Sequence, residues 1–493
     1  MDRAQEIERE LLALQEPMND IIDRGDSTIQ QFYSNSTVFV TGCSGFIGKQ
    51  LIEKLFRSCK IKKLYMLLRR KGGKSIQERL QSILKDPVNI IFHVAATVRF
   101  DEPIKMAVLT NVRSTREALS LARECKEFKC FNHTSTAFAH TTISRINTDV
   151  EEVFYPCPVP PDVIIKMVET VDEKKLNAIT ANMIEGWPNT YTFTKAIAEE
   201  MIRSTTDLPV CIVRPPVVFP ALTEPSPGWV DYNTCFSSSI GAILGIGLGI
   251  IHVFLTKLEV ATYTSPVDFV NNAIIAACWD ATERRKADKQ TAVYTLAAKD
   301  YALPFKTFAS ILRSEEILRI VTPKSVWYSC CLLTSNLWLF WILTWLFHYI
   351  PAYLIDALLD IFGARPKGIP RLVKVHTKVY NLSLIYKYFS FNFWNLKDDN
   401  CQAMIQRMSP EDRAIFNFDM KKVDITNFIK ACCIGLRKYI IKDGLQGSEV
   451  GYNRQKHLLK YIHYVFSALY IYLIYTVLYT IYLMLKFIVQ SVF

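Results

Sequence analysis

The chain has 493 residues, half of them hydrophobic, with 13 cysteines and a formal net charge of +11. Its mean hydropathy of +0.13 is high for a soluble enzyme and calls for a membrane segment. The length suits two or three domains, and the charge suits anionic lipid or a polyphosphate ligand such as a coenzyme. No zinc-ligand spacing, RNA-binding aromatic run or dense basic stripe is present, so neither a metal site nor a nucleic-acid partner is expected. The cysteines are scattered with no C-x-x-C, and residues 1–30 lack the apolar run of a signal peptide. Together these predict free thiols in a reducing, cytosol-facing setting.

Residues 1–34 read as a helical segment with acidic and basic faces. "STVFVTG" is then a short β-branched run, as a buried parallel strand should be, and "FIGKQLIEKLFRSC" has the apolar spacing of an amphipathic helix. "IKKLYMLLRR" predicts a second strand, "KSIQERLQSIL" a helix, "VNIIFHVAA" a third strand, "NVRSTREALSLAREC" a helix and "KCFNHTSTAF" a fourth strand. Such alternation predicts an α/β fold with a doubly wound parallel sheet, Rossmann-like, over residues 35–315.

Between the first strand and helix lies "TGCSGFIG". Gly42, Gly45 and Gly48 stand where a dinucleotide fingerprint needs a tight turn, a close approach to pyrophosphate and a tight helix contact. Thr41, Ser44, Phe46 and Ile47 complete the run, with helix amides facing the phosphates. Arg69 and Arg70 follow the second strand where NAD-selective proteins place an acid; their guanidiniums suit a 2′-phosphate and favour NADPH, although surface arginines are common there too. "GGKS" has no earlier P-loop glycine, since Leu68 occupies that place.

"TYTFTKAIAEE" sets Tyr191 and Lys195 four apart on one helical face. An ammonium beneath a phenol lowers its pKa, and the phenol then donates a proton to a carbonyl oxygen as hydride arrives. Ser135 or Thr136, at the end of the fourth strand, supplies a second hydroxyl. The order of fingerprint, strand-end hydroxyls and Tyr-x-x-x-Lys resembles the short-chain dehydrogenase/reductase superfamily. The long stretch between Thr136 and Tyr191, with "YPCPVPPDV", is either a substrate-covering insertion or an elongated loop. "VRPPVVF" resembles the superfamily's loop beside nicotinamide, which brings in Pro215 and Val217. "SSSIGAILGIGLGIIHVFL" suits an acyl pocket, a membrane contact or core packing.

Ser325 to Ile355 carries no charged side chain. The segment 325–358 is expected to be membrane-associated, a hairpin or interfacial stretch broken at Pro351, because a single crossing would place the following region opposite the nucleotide domain. Residues 363–453 are mixed again, a helical domain. Tyr464 to Leu485 is uncharged and reads as a transmembrane helix.

Several runs resemble the eukaryotic, arthropod-type fatty acyl-CoA reductases: "VFVTGCSGFIGKQLIEKL", "IIFHVAATVRFDE", "NVRSTREAL", "HTSTAFAH" and "YTFTKAIAE". So do "YFSFNFWNLKDDN", "MSPEDRAIFNFDMKKVDITNFI" and "GLRKYIIKDG" in the carboxyl-terminal reductase-associated helical domain. The resemblance implies NADPH-dependent reduction of a long-chain fatty acyl-CoA to a primary alcohol through an aldehyde, with release of CoA. It implies Tyr191 and Thr136 on the oxyanion, Lys195 on the nicotinamide ribose, and Ala95, Ala96 and Thr97 beside the cofactor. A lipid bilayer is the implied partner, and nothing in the sequence sets an oligomeric state. The endoplasmic reticulum is the expected membrane and the peroxisomal membrane the alternative; the chain closes "QSVF", without Ser-Lys-Leu. The family has one more strand and helix between "SILKDP" and "VNIIFH", whereas here Pro87 runs straight into Val88, so the sheet is expected to lack its edge strand. Asp424–Ile425 stands where the family has Asp-Trp. The missing segment also sets the alternative, a catalytically silent binding protein on the same fold.

Overall fold

The computed structural model describes residues 2–68, 87–235, 239–288, 290–297, 302–363, 365 and 370–492. Three N-terminal helices, α1 (Arg3–Ala13), α2 (Glu16–Arg24) and α3 (Thr28–Tyr33), precede the sheet. The sheet strands are β1 (Thr37–Thr41), β2 (Lys63–Leu67), β3 (Ile90–His93), β4 (Cys130–Thr134), β5 (Val210–Arg214) and β6 (Ala292–Thr295). They pair in parallel in the order β6-β5-β4-β3-β1-β2. Among the described residues β2 ends the sheet. The helix expected at "KSIQERLQSIL" lies outside the described residues.

Alternation along each strand sends side chains to two separate cores. Val38 and Val40 of β1 join Leu51 and Leu55 of α4 (Phe46–Ser58) and Val270, Ala273 and Ile274 of α9, whose range is Val267–Arg285. Phe39, Ile91 and Phe131 turn the other way, onto Leu119 and Ala122 of α5. Helix α5 begins as Ile104–Val108, widens into a π-turn at Leu109–Arg113 and continues as Ser114–Arg123. The thirteen cysteines are free thiols.

The stretch between Thr136 and Tyr191 is mainly irregular up to Pro160 and mainly helical after it. It forms α6 (Pro161–Thr170) and α7 (Glu173–Met183). Ile164, Ile165, Val168 and Leu176 pack with Phe193 and Ile197 of α8 (Thr190–Arg203), so the insertion buttresses the helix that carries Tyr191.

Part of the apolar segment expected at 325–358 is a strand, Leu332–Thr334, paired with Val253–Leu255. The remainder, α10, runs Leu337–Thr344, Trp345–Tyr349 as a π-turn, and Ile350–Ile361. Pro351 therefore does not break it. The proline sits in the first turn after the π-turn, where its missing N–H is accommodated. Helix α11 (Leu372–Phe391) follows.

Among the described residues the carboxyl-terminal region shares its core with the rest of the chain. Met404, Met408, Phe416 and Phe418 belong to the same cluster as Val38 and Val40. Asp412 clasps the N-terminal segment, accepting from Ser27 Oγ and Thr28 Oγ1 at 2.5 Å and from Ile29 N at 3.0 Å. The tail helix Lys460–Val492 contains the expected 464–485 span and is exposed through that span apart from a few partly buried residues near its start.

Candidate active site

The glycine run forms the turn between β1 and α4. Gly42 has φ +72°, and a Cβ there would stand 2.6 Å from Ala95 N. A Cβ on Gly48 would stand 2.3 Å from the Gly42 carbonyl oxygen. Only glycine lets this turn close while the β3 loop crosses against it. Ser44 and Gly45 are exposed at the N-terminus of the 13-residue α4, where free amides await an anion. Phe46 turns inward and stacks on Trp229 at 5.4 Å, and the Ile47 carbonyl accepts from Asn271 Nδ2 at 3.0 Å. Only the backbone of these two residues remains for a phosphate. This narrow glycine cradle fits a dinucleotide. Arg69 and Arg70 lie outside the described residues.

A chain of hydrogen bonds joins this turn to the helix of Tyr191. Thr41 Oγ1 accepts from Ala95 N at 3.2 Å. Since Thr115 Oγ1 gives its proton to the Asn111 carbonyl oxygen, His93 Nε2 donates to Thr115 and Nδ1 accepts from Thr41 at 2.9 Å. That bond needs neutral His93, and burial pulls the imidazole down to about 3. Ala96 is partly buried in the same loop. Thr97 N donates to Asn111 Oδ1 at 2.9 Å, and Asn111 Nδ2 donates to Thr194 Oγ1 of α8 at 2.9 Å. Thr97 Oγ1 donates to Glu102, away from the turn. Asn111 sits in the π-turn of α5, which rotates its amide between the loop and α8. Sequence reasoning passed over Asn111 within "NVRSTREAL", because a π-turn leaves no periodic signal.

Thr136 is the hydroxyl that acts on Tyr191, opposing the rise of the phenol's pKa, and Thr136 Oγ1 accepts from Phe138 N at 3.3 Å. Ser135 is drawn elsewhere, donating to Glu199 at 2.6 Å. This separates the two expected candidates. Lys195 is 2% exposed and donates to the Thr134 carbonyl oxygen at 2.7 Å. Burial, partly offset by Glu199, lowers its pKa to about 8. The expected lowering of the phenol is not found. Burial pushes Tyr191 up to about 12 with Thr136 alone opposing, because the Lys195 amine is turned to the strand carbonyl.

The loop that carries Ser135 and Thr136 is held by a buried knot unforeseen from the sequence. Arg214 at the end of β5 makes two bonds to Glu199, of 3.0 and 2.6 Å. His140 Nε2 lies 2.8 Å from Glu199 Oε2. These groups hold the Glu199 carboxyl well below the usual range against its burial. Spacing placed Glu199 one turn beyond Lys195, but only the fold shows Arg214 beside it. Pro215 accepts from Ala137 N at 2.9 Å, and Val217 joins the short strand Val217–Phe219 with its N–H on the Tyr263 carbonyl. The "VRPPVVF" stretch thereby abuts the Thr136 loop.

Lys195→Met is expected to raise the unfolding midpoint. A lysine whose folded pKa lies below its ordinary 10.5 destabilises the fold wherever both states carry the charge. The stability difference between variant and wild type is therefore largest below about pH 8, shrinks as pH rises, and is gone by about 10.5. Thermal melts across that range check it.

Family models described as "Male sterility protein" match residues 40–89 and 81–274, a nucleotide-binding part, and residues 347–443. The chain is 33% identical to "Fatty acyl-CoA reductase wat" of Drosophila melanogaster over 92% of its length and 93% of that protein's. The chain belongs to the fatty acyl-CoA reductase family. "Fatty acyl-CoA reductase 1" of Xenopus laevis is 31% identical over 91% of this chain and 93% of its own, and "Fatty acyl-CoA reductase 2" of Homo sapiens 30% over 90% and 92%. The two nucleotide-binding stretches that match overlap at residues 81–89, around Pro87–Val88. The fold is similar to the crystal structure of the terminal R domain from the myxalamid PKS-NRPS biosynthetic pathway, with TM-score 0.52 and 15% identity over 83% of this chain and 92% of that one. That likeness is one of fold.

Proposed function

We propose that this reductase converts long-chain fatty acyl-CoA to the primary alcohol with NADPH, through the aldehyde, at Tyr191 and Thr136. The observation that carries the reading is the Tyr191–Thr136 hydroxyl pair, joined through Asn111 to a glycine cradle. Gly42 to Gly48 would hold the pyrophosphate, Lys195 the nicotinamide ribose, and Pro215 and Val217 would flank the ring. When bound, the reduced dinucleotide supplies the hydride for each of the two reductions. Tyr191, protonated at neutral pH, and Thr136 donate hydrogen bonds to the thioester oxygen as charge gathers there. Collapse breaks the C–S bond and CoA leaves. In the second reduction the Tyr191 proton passes to the aldehyde oxygen, giving the alcohol, and solvent restores it. The arginines of "RR" at 69 and 70 support NADPH over NADH by charge alone. Full-length protein should oxidise NADPH when given hexadecanoyl-CoA and yield hexadecanol; failure of both rejects the reading.

A second reading, a silent acyl-CoA-binding member, draws on the end of the sheet at β2 and the break in the family match at Pro87–Val88. A calorimetric NADPH titration separates the two, since the silent form would give no heat.

The bilayer belongs to this proposal. Trp338 is 78% exposed, and Trp341, Trp345 and Leu354 are exposed beside it on α10. Chain before and after α10 lies on one side, because Tyr388 Oη donates to the Thr141 carbonyl oxygen at 2.9 Å. Helix α10 therefore lies along the membrane interface while the tail helix crosses it. A chain ending at residue 463 is expected to float with anionic vesicles still, and to leave them when Trp338, Trp341 and Trp345 are also replaced by Gln. The expected membrane is the endoplasmic reticulum, with the reductase facing the cytosol.

A further inference from the structure

The Tyr191 ring lies nearly parallel to Phe100, with centroids 5.9 Å apart. Phe100 in turn touches Tyr386 at 5.5 Å and Phe389 at 5.4 Å, both on α11. Phe389 continues the cluster to Phe138, two residues beyond Thr136, at 5.3 Å. The β3 loop, the Thr136 loop, the catalytic helix and the carboxyl-terminal region thus meet in one aromatic group. The end of α11 is pinned to the Thr136 loop. Tyr388 Oη donates to Thr141, and Trp394 Nε1 donates to the Thr142 carbonyl oxygen at 3.3 Å.

Phe100, Phe138, Tyr386 and Phe389 are only partly buried, whereas Trp394 behind them is 3% exposed. Apolar ring surface left half-open beside a phenol favours an apolar group laid over it. One turn away the chemistry changes. Lys257 and Lys387 both stand over the Phe391 ring, at 5.5 and 5.6 Å. Neither forms an ion pair among the described residues, so this end of the wall carries positive charge that favours an anion.

We infer that Phe100, Tyr386 and Phe389 form the wall against which the acyl carbons next to the thioester lie, making α11 a specificity-determining part of the active site. The inference rests on the reading of Tyr191 as the proton donor. Wall contacts contribute in proportion to the hydrocarbon laid on them, so removing a ring weakens every acyl chain long enough to cover it and leaves CoA alone untouched.

The test is binding rather than turnover, made in full-length protein carrying Tyr191→Phe, so that a failure of catalysis leaves it standing. Hexadecanoyl-CoA and CoA alone are titrated calorimetrically, with NADP⁺ as the control for folding. Adding Phe389→Ala or Tyr386→Ala is expected to weaken hexadecanoyl-CoA binding about tenfold and to leave CoA and NADP⁺ binding unchanged. Phe389→Leu should recover part of the loss, and it serves as the test if the alanine variant no longer binds NADP⁺. Lys257→Ala with Lys387→Ala should weaken both hexadecanoyl-CoA and CoA. Unchanged hexadecanoyl-CoA affinity in Tyr386→Ala and in a Phe389 variant that binds NADP⁺ overturns the wall.

Discussion

Tyr191→Phe should leave NADPH binding intact and slow hexadecanoyl-CoA reduction by about a thousandfold. The substitution removes one hydroxyl and keeps the ring, so the stacking on Phe100 at 5.9 Å survives and the fold does not change. What is lost is the proton and a hydrogen bond made only as charge develops on the carbonyl oxygen. Thr136 remains, which is why the loss is not total. The phenol's pKa near 12 keeps it protonated across the physiological range, so no fall of the rate on the high-pH side of the assay range should report Tyr191. Lys195, near 8, titrates within reach of assay conditions, and its removal as Lys195→Met should erase a bend at that pH. Stopped-flow NADPH oxidation measures both. A Tyr191→Phe enzyme with wild-type rates would place the chemistry elsewhere.

Glu199→Ala is the substitution expected to damage the fold most. It strands the buried Arg214 guanidinium, which is 2% exposed, and removes the partners of Ser135 and His140. Breaking one side of a buried ion pair costs about 3–5 kcal/mol, a large part of the stability of most domains. The carboxyl is held well below its ordinary 4.5, so its contribution is complete above that pH and falls away as acid approaches the lowered value. Glu199→Leu combined with Arg214→Met should recover much of the loss, because a well-packed apolar pair avoids the desolvation that the ions pay. Denaturant unfolding of the two single variants and the double variant measures the coupling. Even the recovered double variant should be slow, since Ser135 no longer anchors the loop that presents Thr136.

The sequence by itself determined what rests on local chemistry. Apolar runs too short for helices and rich in β-branched residues made β1 and β3, and a glycine wherever a Cβ would strike backbone made the turn at Gly42 and Gly48. The placing of Tyr191 and Lys195 one turn apart followed from helical spacing, and the apolar tail from the absence of charge. Tertiary structure decided everything that needs partners distant in the chain. It gave Thr136 to Tyr191 and Ser135 to Glu199, although the two hydroxyls are neighbours and chemically alike. It turned Lys195 toward the Thr134 carbonyl oxygen, so the phenol rises rather than falls. It set α6 and α7 behind the catalytic helix and brought Tyr386 and Phe389, nearly two hundred residues away, over its face. The physical reason is the range of the forces involved. Backbone sterics and hydrophobic period act within a few residues, whereas burial, ion pairing and ring contacts depend on which surfaces the chain closes against each other.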